Sequence, residues 1–304
     1  DIVDLRFMES NTALWDTIHK VESGVTILLK RGQTYIFPSS RVISSSITVM
    51  SGYDFVSELA EIQLNGNPFS TPMNSYIDEI VFRDVNVVST FGGSSYFFYL
   101  EELANIKKVK FDGVRSHGHR GFVRIGPDVV IDSLIIHNCV IDSVREYGLT
   151  HITGTNANIK NISVKNSTFY FLIRPHYNRS TAVSSSNTIV HENVTFFNTP
   201  DVGRYFFDYE TGTEVTFKNC IFGQTRALLV TGDTTKGYKP NTVSITSQES
   251  YFTNDFVSAS EPLPGLIPYN KSSYDLFEDP DNHNFKIIDP GFAGKTTAGD
   301  PRWH

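Results

Sequence analysis

A repeat of 25 to 29 residues constrains this chain more than any other feature. The hexapeptide IHNCVI at 136–141 returns as VKNSTF at 164–169, as HENVTF at 191–196 and as FKNCIF at 217–222. The asparagines of these four segments, at positions 138, 166, 193 and 219, are 28, 27 and 26 residues apart. Upstream, FRDVNV at 82–87 and, less closely, FDGV at 111–114 have the same shape. One structural unit is therefore repeated through most of the chain.

The repeats consist of short stretches in which apolar and polar residues alternate, which is typical of strands. The lack of helical periodicity excludes ankyrin and tetratricopeptide repeats, and a propeller blade is longer, at about 40 residues. We therefore predict an all-β fold, a right-handed parallel β-helix in which each coil stacks two or three strands on the next. We expect the asparagines to occupy tight turns, where they tolerate left-handed backbone and hydrogen-bond along the stack.

The N-terminal region predicts a cap for this β-helix. Residues 11–22 have the pattern of a short amphipathic helix, with Asn11 or Thr12 as the N-cap and Gly24 as the stop. A solenoid must cover its terminal hydrophobic layer, and this helix would do so. Its predicted apolar face consists of Leu14, Trp15, Ile18 and Val21.

The C-terminal region loses the repeat. Residues 258–304 are rich in Pro, Gly and Asp and predict an irregular tail. We expect one domain, with the β-helix and its cap over 1–257 and the tail packed along it over 258–304. The residues expected to dock the tail are Phe285, Ile287, Ile288 and Phe292.

The overall charge and the hydrophobic pattern limit the partners. Lys and Arg number 26 and Asp and Glu 33, a net charge of −7, which argues against general nucleic-acid binding. No apolar stretch approaches the roughly 18 residues of a membrane helix. Cys139 and Cys220 both follow a repeat asparagine and lie three coils apart, about 14 Å at the spacing of stacked strands. A disulfide requires Cα atoms within about 7 Å, so both cysteines are predicted to be unpaired and packed.

Two stretches resemble known proteins. Residues 14–35, with a predicted capping helix, a first strand and a turn between Gly32 and Tyr35, look like the start of chondroitinase-B-like polysaccharide lyases. The closing FKIIDPGFAGKTTAGDPRW at 285–303 is similar to the C-terminus of pectin-lyase-like proteins of Bacteroidetes glycan-utilisation loci, a family without a settled activity. The resemblance implies the fold, export as a surface lipoprotein and a connection with glycans.

Five arginines recur seven to eleven residues after the turn position of successive coils. They are Arg120, Arg145, Arg174, Arg204 and Arg226. Guanidinium groups bind carboxylates in a bidentate manner, and aromatic faces suit sugar rings. Together with Tyr147, Tyr177 and Tyr205, the arginines predict a binding face for an acidic, uronate-containing polysaccharide. The alternative is that they pair with the nearby Glu146, Asp201, Asp208 or Glu210.

Catalysis on the same face is a second hypothesis. The resemblance implies a lyase with a lysine base, an arginine and Ca²⁺, but Lys165 and Lys218 lie beside turn asparagines, away from the arginines. If the protein is a lyase, Arg174 and Arg204 would clamp the substrate carboxylate. The base would then be His176, Tyr177 or Tyr205.

Other catalytic and metal sites have weaker support. Asp201, Asp208 and Glu210 are the one cluster that suits a glycosidase of the polygalacturonase type, although they could equally shape a loop. His117 and His119 resemble a metal-ligand pair that needs further ligands. The sequence shows no ligand set for Ca²⁺, so no metal and no cofactor are predicted.

The sequence therefore predicts a monomeric, exported glycan-binding β-helix at the cell surface or in the periplasm of a Gram-negative bacterium. Its partner is an acidic polysaccharide or oligosaccharide, with no nucleic acid and no transmembrane segment. A polysaccharide lyase acting by β-elimination is the first alternative. A structural or adhesive β-helix is the second.

Overall fold

The protein folds into a parallel β-helix of about nine turns with few helices. The computed structural model describes residues 1–66, 69–90, 92, 95–180, 187–209, 212–226 and 235–304. Every strand pair of the tube is parallel and joins equivalent positions of neighbouring coils: Ile131, for example, pairs with Ile106 on one side and Ile159 on the other. The predicted all-β solenoid is confirmed.

Each coil contributes to three faces, of which the first and second form one 18-stranded sheet among the described residues. The strands of the first face are Ile2–Asp4, Val25–Leu29, Ile47–Ser51, Ser75–Arg83, Ala104–Asp112, Val129–His137, Asn158–Tyr170, Asn187–Phe197, Thr213–Lys218 and Val243–Gln248. Asn158–Tyr170 and Asn187–Phe197 bend onto the second face. The other strands of the second face are Thr34–Phe37, Ala60–Leu64, Val85–Ser89, Arg115–His117, Val140–Asp142, Ile221–Phe222, Tyr251–Thr253 and Ile267–Tyr269.

The third face is a separate sheet of eight strands in the described part of the chain. Its strands are Arg41–Val42, Phe69–Ser70, Tyr96–Leu100, Gly121–Ile125, Thr150–Gly154, His176–Ser180, Tyr205–Tyr209 and Lys236–Tyr238.

The repeat asparagines form the turn between the first and second faces. All four have left-handed backbone, with φ of 56° at Asn138, 48° at Asn166, 55° at Asn193 and 53° at Asn219. Asn138 Nδ2 donates to Asp112 Oδ1 over 2.7 Å, and Asn166 Nδ2 donates to Asn138 Oδ1 over 3.4 Å. Asn193 Nδ2 donates instead to the carbonyl oxygen of Thr297 in the tail, over 2.7 Å. The asparagines are therefore at turns as predicted, and the hydrogen-bonded stack is partial.

The interior of the tube is apolar and rich in aromatic rings. Phe111 and Phe122, from the first and third faces, have ring centroids 4.7 Å apart. Cys139 and Cys220 are free thiols buried in this core, as predicted. Burial raises the pKa of each thiol to about 12, so neither is a reactive nucleophile.

The N-terminal helix, Ala13–Thr17, is shorter than the predicted 11–22. Leu14 and Ile18 join the main core, and Trp15 is half-buried with the Arg41 guanidinium 3.1 Å from its ring centroid. The helix ends early because residues 18–20 form turns instead of continuing the helical hydrogen bonds.

The C-terminal tail contains short elements and its own small core. It forms a helix at Ser273–Leu276, a hairpin of Phe277–Asp279 and Asn284–Ile287, and 3₁₀ helices at Pro280–Asn282 and Pro301–Trp303. Phe285, Ile287 and Phe292 are buried in this core, as expected of docking residues. Ile288 is 45% exposed, which corrects the prediction, because it follows Ile287 along an extended chain and faces the opposite side.

The last residues are anchored on the second face by hydrogen bonds. Thr168 Oγ1 donates to Asp300 Oδ2 over 2.7 Å, and the Trp303 indole donates to the same Thr168 oxygen over 2.8 Å. Arg302 Nη2 donates to the Asn138 carbonyl oxygen over 3.0 Å. These contacts give a structural reason for the sequence GDPRW at the end of the chain.

Candidate functional site

The outer surface of the third face carries a column of polar and aromatic side chains. Strand pairing aligns Tyr99 with Arg124, Arg124 with His151, His151 with Tyr177, and Tyr177 with Asp208. These positions recur at the strand spacing of about 4.8 Å and point away from the core. We call this surface, with the residues that precede each strand, the aromatic–arginine face. Its members are Tyr96, Tyr99, Arg120, Arg124, Arg145, Tyr147, His151, Arg174, Tyr177, Arg179, Arg204, Tyr205 and Asp208.

Four rings of this face form a continuous stack along the tube axis. The rings of Tyr147 and His151 are parallel within 6°, with centroids 4.2 Å apart. Tyr177 lies 5.0 Å from His151 on one side, and Tyr96 lies 5.9 Å from it on the other. Tyr147 and Tyr177 are half-buried, so part of each ring faces solvent. Tyr96 and His151 are buried beneath them, so the aromatic surface open to a ligand consists of Tyr147 and Tyr177.

His151 is neutral at physiological pH. Burial, together with the charges of Arg124 and Arg174, lowers its pKa to about 3. Burial raises the pKa of Tyr96, so that phenol keeps its proton. The Tyr96 hydroxyl and His151 Nδ1 are hydrogen-bonded over 2.9 Å, which orients the imidazole ring within the stack.

Three of the five predicted arginines have acidic partners. Arg120 Nε donates to Glu146 over 3.0 Å, and Arg226 Nη1 lies 3.7 Å from Asp201. Both pairs are partly exposed and therefore weak. The acidic partners Glu146, Asp201 and Asp208 are among those named as alternatives from the sequence, and Glu210 lies outside the described residues.

The third pair, Arg174 with Asp208, is buried. Arg174 Nη1 donates to Asp208 Oδ2 over 2.9 Å, and each side chain is 8% exposed. The Arg174 guanidinium also lies 4.4 Å from the centroid of Tyr177. Arg174 thus packs against a ring of the aromatic stack, and its charge is already paired with Asp208.

Arg145 and Arg204 are different, because both are exposed. Neither side chain has a hydrogen-bond or ion-pair partner among the described residues. The positive charge of Arg204 acts on Arg174. Burial is the main cause that lowers the pKa of Arg174, and the charge of Arg204 is the second. These two arginines are the cations of the face that are available to a ligand.

Two predicted tyrosines differ in their surroundings. Tyr177 accepts a hydrogen bond from Arg179 Nε over 2.9 Å, next to Arg174. Tyr205 is half-buried, and Lys236 Nζ lies 5.0 Å from its ring centroid. Tyr205 extends the face by one coil beyond Tyr177, and Lys236 adds a cation there.

His176 is not on this face. Its ring lies inside the tube, fully buried, with Nδ1 bonded to Thr150 Oγ1 and Nε2 bonded to His191 Nε2 over 3.1 Å. Burial lowers its pKa to about 3. The strand beginning at His176 points alternate side chains in and out, which corrects the grouping of His176 with Tyr177 as surface residues.

His117 and His119 do not share one face: His117 lies on the outside of the tube and His119 on the inside. The strand Arg115–His117 leaves His117 outside, Gly118 then turns with a φ of 84°, and His119 enters the core beside Phe122. Among the described residues, no group of three or more His, Cys, Asp or Glu is arranged to hold a metal ion. No helix in the described ranges is long and apolar enough to cross a membrane.

Sequence reasoning missed several members of the face. Tyr96, Tyr99, Arg124 and Arg179 lie on third-face strands, whose start relative to the turn asparagine differs from coil to coil. The alternation within each strand was visible, but the register between coils was not, because the preceding loops differ in length.

Comparisons with known proteins add little beyond this geometry. Residues 162–303 match a family model described as a domain of unknown function (DUF5123). Among solved structures, the PL6 family alginate lyase AlyGC is 14% identical, with a TM-score of 0.47 over 88% of this chain. A mutant of the same enzyme is 13% identical, with a TM-score of 0.46. This chain spans 39% of the length of that enzyme. A search of curated proteins finds no match.

Proposed function

We propose that the aromatic–arginine face binds a linear acidic polysaccharide that lies along the axis of the β-helix. The observation that carries the proposal is the pair of half-buried rings, Tyr147 and Tyr177, stacked on His151, with the exposed Arg145 and Arg204 in the same coils. Neither arginine side chain has a partner among the described residues.

A polymer along the tube axis would contact several coils. Coils follow one another at about 4.8 Å, so Arg145 and Arg204, two coils apart, are separated by about 10 Å along the axis, with Tyr177 in the coil between them. Tyrosine rings present a large apolar surface with little loss of conformational entropy on binding. Stacking on the half-buried Tyr147 and Tyr177 orients the sugar rings, and contact with several coils makes binding depend on polymer length.

The local charge favours an anionic ligand although the whole protein is acidic. Among the described residues, no carboxylate pairs with Arg145 or Arg204, and charge-assisted hydrogen bonds from guanidinium to carboxylate are short and strong. The paired Arg120 and Arg174 hold the tyrosines in place, with guanidinium groups 5.0 Å from the Tyr147 centroid and 4.4 Å from the Tyr177 centroid. Positioning and ligand binding are thus divided between paired and unpaired arginines.

Affinity electrophoresis tests the proposal directly. Gels that contain polygalacturonate or alginate should retard the protein, whereas gels that contain neutral dextran should not. Arg145→Ala combined with Arg204→Ala removes two exposed contacts of about 1 kcal/mol each, so we expect roughly 30-fold weaker binding. Arg83→Ala is the matched control, because Arg83 is a half-exposed arginine outside the face.

The folding of the variants separates binding from stability. In the part of the chain that the structure describes, the side chains of Arg145 and Arg204 have no partners to lose, so the melting temperature should stay within error of the wild type. Equal retardation of the double variant and the wild type would refute the proposed face. Retardation that does not weaken with added salt would also count against it, since surface ion pairs are screened.

A lyase on the same face is the second candidate, favoured by the position of the Tyr177 hydroxyl. That oxygen accepts from Arg179 Nε, and Arg174 lies beside the same ring. As the phenolate, Tyr177 would abstract a proton from a sugar whose carboxylate is bound nearby, and the proton would pass to the phenolate oxygen. β-Elimination creates a double bond, so ultraviolet absorbance of the unsaturated product during incubation with uronate polymers distinguishes a lyase from a binding protein. Tyr177→Phe should abolish that absorbance and retain binding.

The location and the oligomeric state stay predictions from the sequence. Export to a bacterial surface agrees with an extracellular polysaccharide as the ligand, and cell fractionation tests it. A monomer leaves the third face open along its length, which sedimentation or size-exclusion measurements test.

A further inference from the structure

A second cleft lies on the second face, beneath the C-terminal tail. Its floor is formed by outward-facing residues of neighbouring coils, among them Arg115, His117 and Asp142, and its wall is formed by Tyr170 and Trp303. Its volume of about 380 Å³ falls within the range of roughly 300–1,000 Å³ typical of small-molecule sites. No lining residue belongs to the aromatic–arginine face.

The cleft contains a histidine that is held by a carboxylate. His117 Nδ1 is hydrogen-bonded to Asp142 Oδ1, and the two residues are paired across neighbouring strands. The Asp142 side chain is 13% exposed, whereas that of His117 is 60% exposed. An ionised carboxylate accepts, so Nδ1 carries the hydrogen, and in this tautomer of the uncharged ring Nε2 is the acceptor. A ligand hydroxyl can donate to that nitrogen.

The same strand supplies a cation without a partner. Arg115 and His117 are two residues apart on Arg115–His117 and both face outward, while Ser116 between them is buried. In the described part of the chain, no carboxylate and no carbonyl oxygen accepts from the Arg115 guanidinium. The Arg115 charge also acts on the cleft wall, because the charges of Asp142 and Arg115 both affect the pKa of the Tyr170 phenol. The guanidinium is therefore placed to bind an anionic group inside the cleft.

The aromatic wall of the cleft limits which ligands can bind there. Tyr170 stacks on His283 of the tail with centroids 4.1 Å apart, and the Trp303 indole is fixed by its hydrogen bond to Thr168. The tail is thus a fixed wall of the cleft. Its rings offer an apolar surface opposite the polar floor.

We propose that this cleft binds a small hydroxycarboxylic acid of the size of one sugar acid. Arg115 binds the carboxylate, His117 Nε2 accepts from a hydroxyl, and the carbon skeleton packs against Trp303. The proposal is independent of polysaccharide binding on the third face, since the two sites share no residue. It makes Asp142 a positioning residue, which acts on the ligand through the His117 ring.

Calorimetric titration tests this cleft with glucuronate as the probe and glucose as the uncharged control. Glucuronate should bind the wild-type protein and glucose should not. Arg115→Gln should weaken glucuronate binding at least tenfold, and His117→Ala should weaken it as well. Arg83→Gln should leave it unchanged. Because the Arg115 side chain has no partner in the described ranges, the Arg115 variant should melt at the wild-type temperature, which shows that it is folded.

The two sites are distinguished by their own variants. The Arg145→Ala and Arg204→Ala double variant should bind glucuronate as the wild type does, even if it no longer binds polymers. The proposal fails if the wild type binds no glucuronate at millimolar concentration, or if Arg115→Gln binds it as tightly as the wild type. Loss of glucuronate binding in the double variant alone would place the monosaccharide on the third face and overturn the cleft as its site.

Discussion

Acid should unfold this protein cooperatively, because four histidines are buried in their neutral form. They are His119, His151, His176 and His191. Burial lowers the pKa of His119 to about 4 and those of His151 and His176 to about 3, and it lowers that of His191 well below its ordinary value. An unfolded chain exposes all four, with pKa values near 6.5. Below that pH the unfolded state binds more protons than the folded state.

Proton linkage gives the sign and the size of the change in the free energy of unfolding with pH. A depressed histidine pKa leaves stability intact above about pH 6.5 and removes it as the pH falls toward the folded pKa. Each histidine costs about 1.4 kcal/mol per pH unit in that window, so at about pH 4.5 each has removed about 2.7 kcal/mol. Four such groups together remove about 10 kcal/mol, which is comparable with the whole stability of a typical domain. We therefore expect unfolding between about pH 6 and pH 4.

Urea unfolding monitored by circular dichroism at a series of pH values measures this slope. His119→Leu should reduce the slope by about 1.4 kcal/mol per pH unit, because that ring is packed beside Phe97 and Phe122 and the replacement cannot take up a proton. His283→Gln should not change it, because His283 is exposed. A free energy of unfolding that stays flat from pH 7 to pH 5 would refute the reasoning.

Three further changes test the packing. Gly299→Ala should release the tail and lower the melting temperature. The backbone φ is 78° at this position, and an added Cβ would lie 2.7 Å from Thr195 Oγ1. Limited proteolysis measures the release of the tail. Arg174→Ala should destabilise the fold by about 3 kcal/mol, because it removes the buried partner of Asp208 and leaves that carboxylate the more exposed Arg179, whose Nη2 lies 3.5 Å from Oδ1. Arg145→Ala, measured beside it in urea, should cost almost nothing. Cys139 should react with a thiol reagent only when the protein is unfolded, and rapid labelling of the native protein would contradict its buried position.

The candidate site could be predicted in part from the sequence. The spacing of the arginines after each turn leads to the third face, since Arg120, Arg174 and Arg204 lie one or two residues before its strands, and ligand binding there stays a prediction. Which of them are paired depends on the positions of acids one coil away. Asp208 reaches Arg174 across 34 residues of sequence, and no local pattern shows that contact.

The sequence also does not show which histidines face the core. His176 and His151 occupy neighbouring third-face strands, yet one ring faces the core and the other faces outward. Strand pairing aligns His151 with Tyr177 and Thr150 with His176, so a shift of one residue in register exchanges the two faces. The loops before these strands differ in length, and the repeat period does not determine the register.

The periodicity of the sequence determines the β-helix, its turns and the free, buried cysteines. A short repeat without helical pattern can hide its apolar side chains only by stacking coil on coil, and asparagine relieves the strain of left-handed turns. The tertiary structure decides which arginines stay unpaired, which histidines are inside, and that the tail closes a second cleft over Arg115 and His117. These properties depend on contacts between coils and between the tube and its tail, and side chains distant in the sequence meet there only once the register is set.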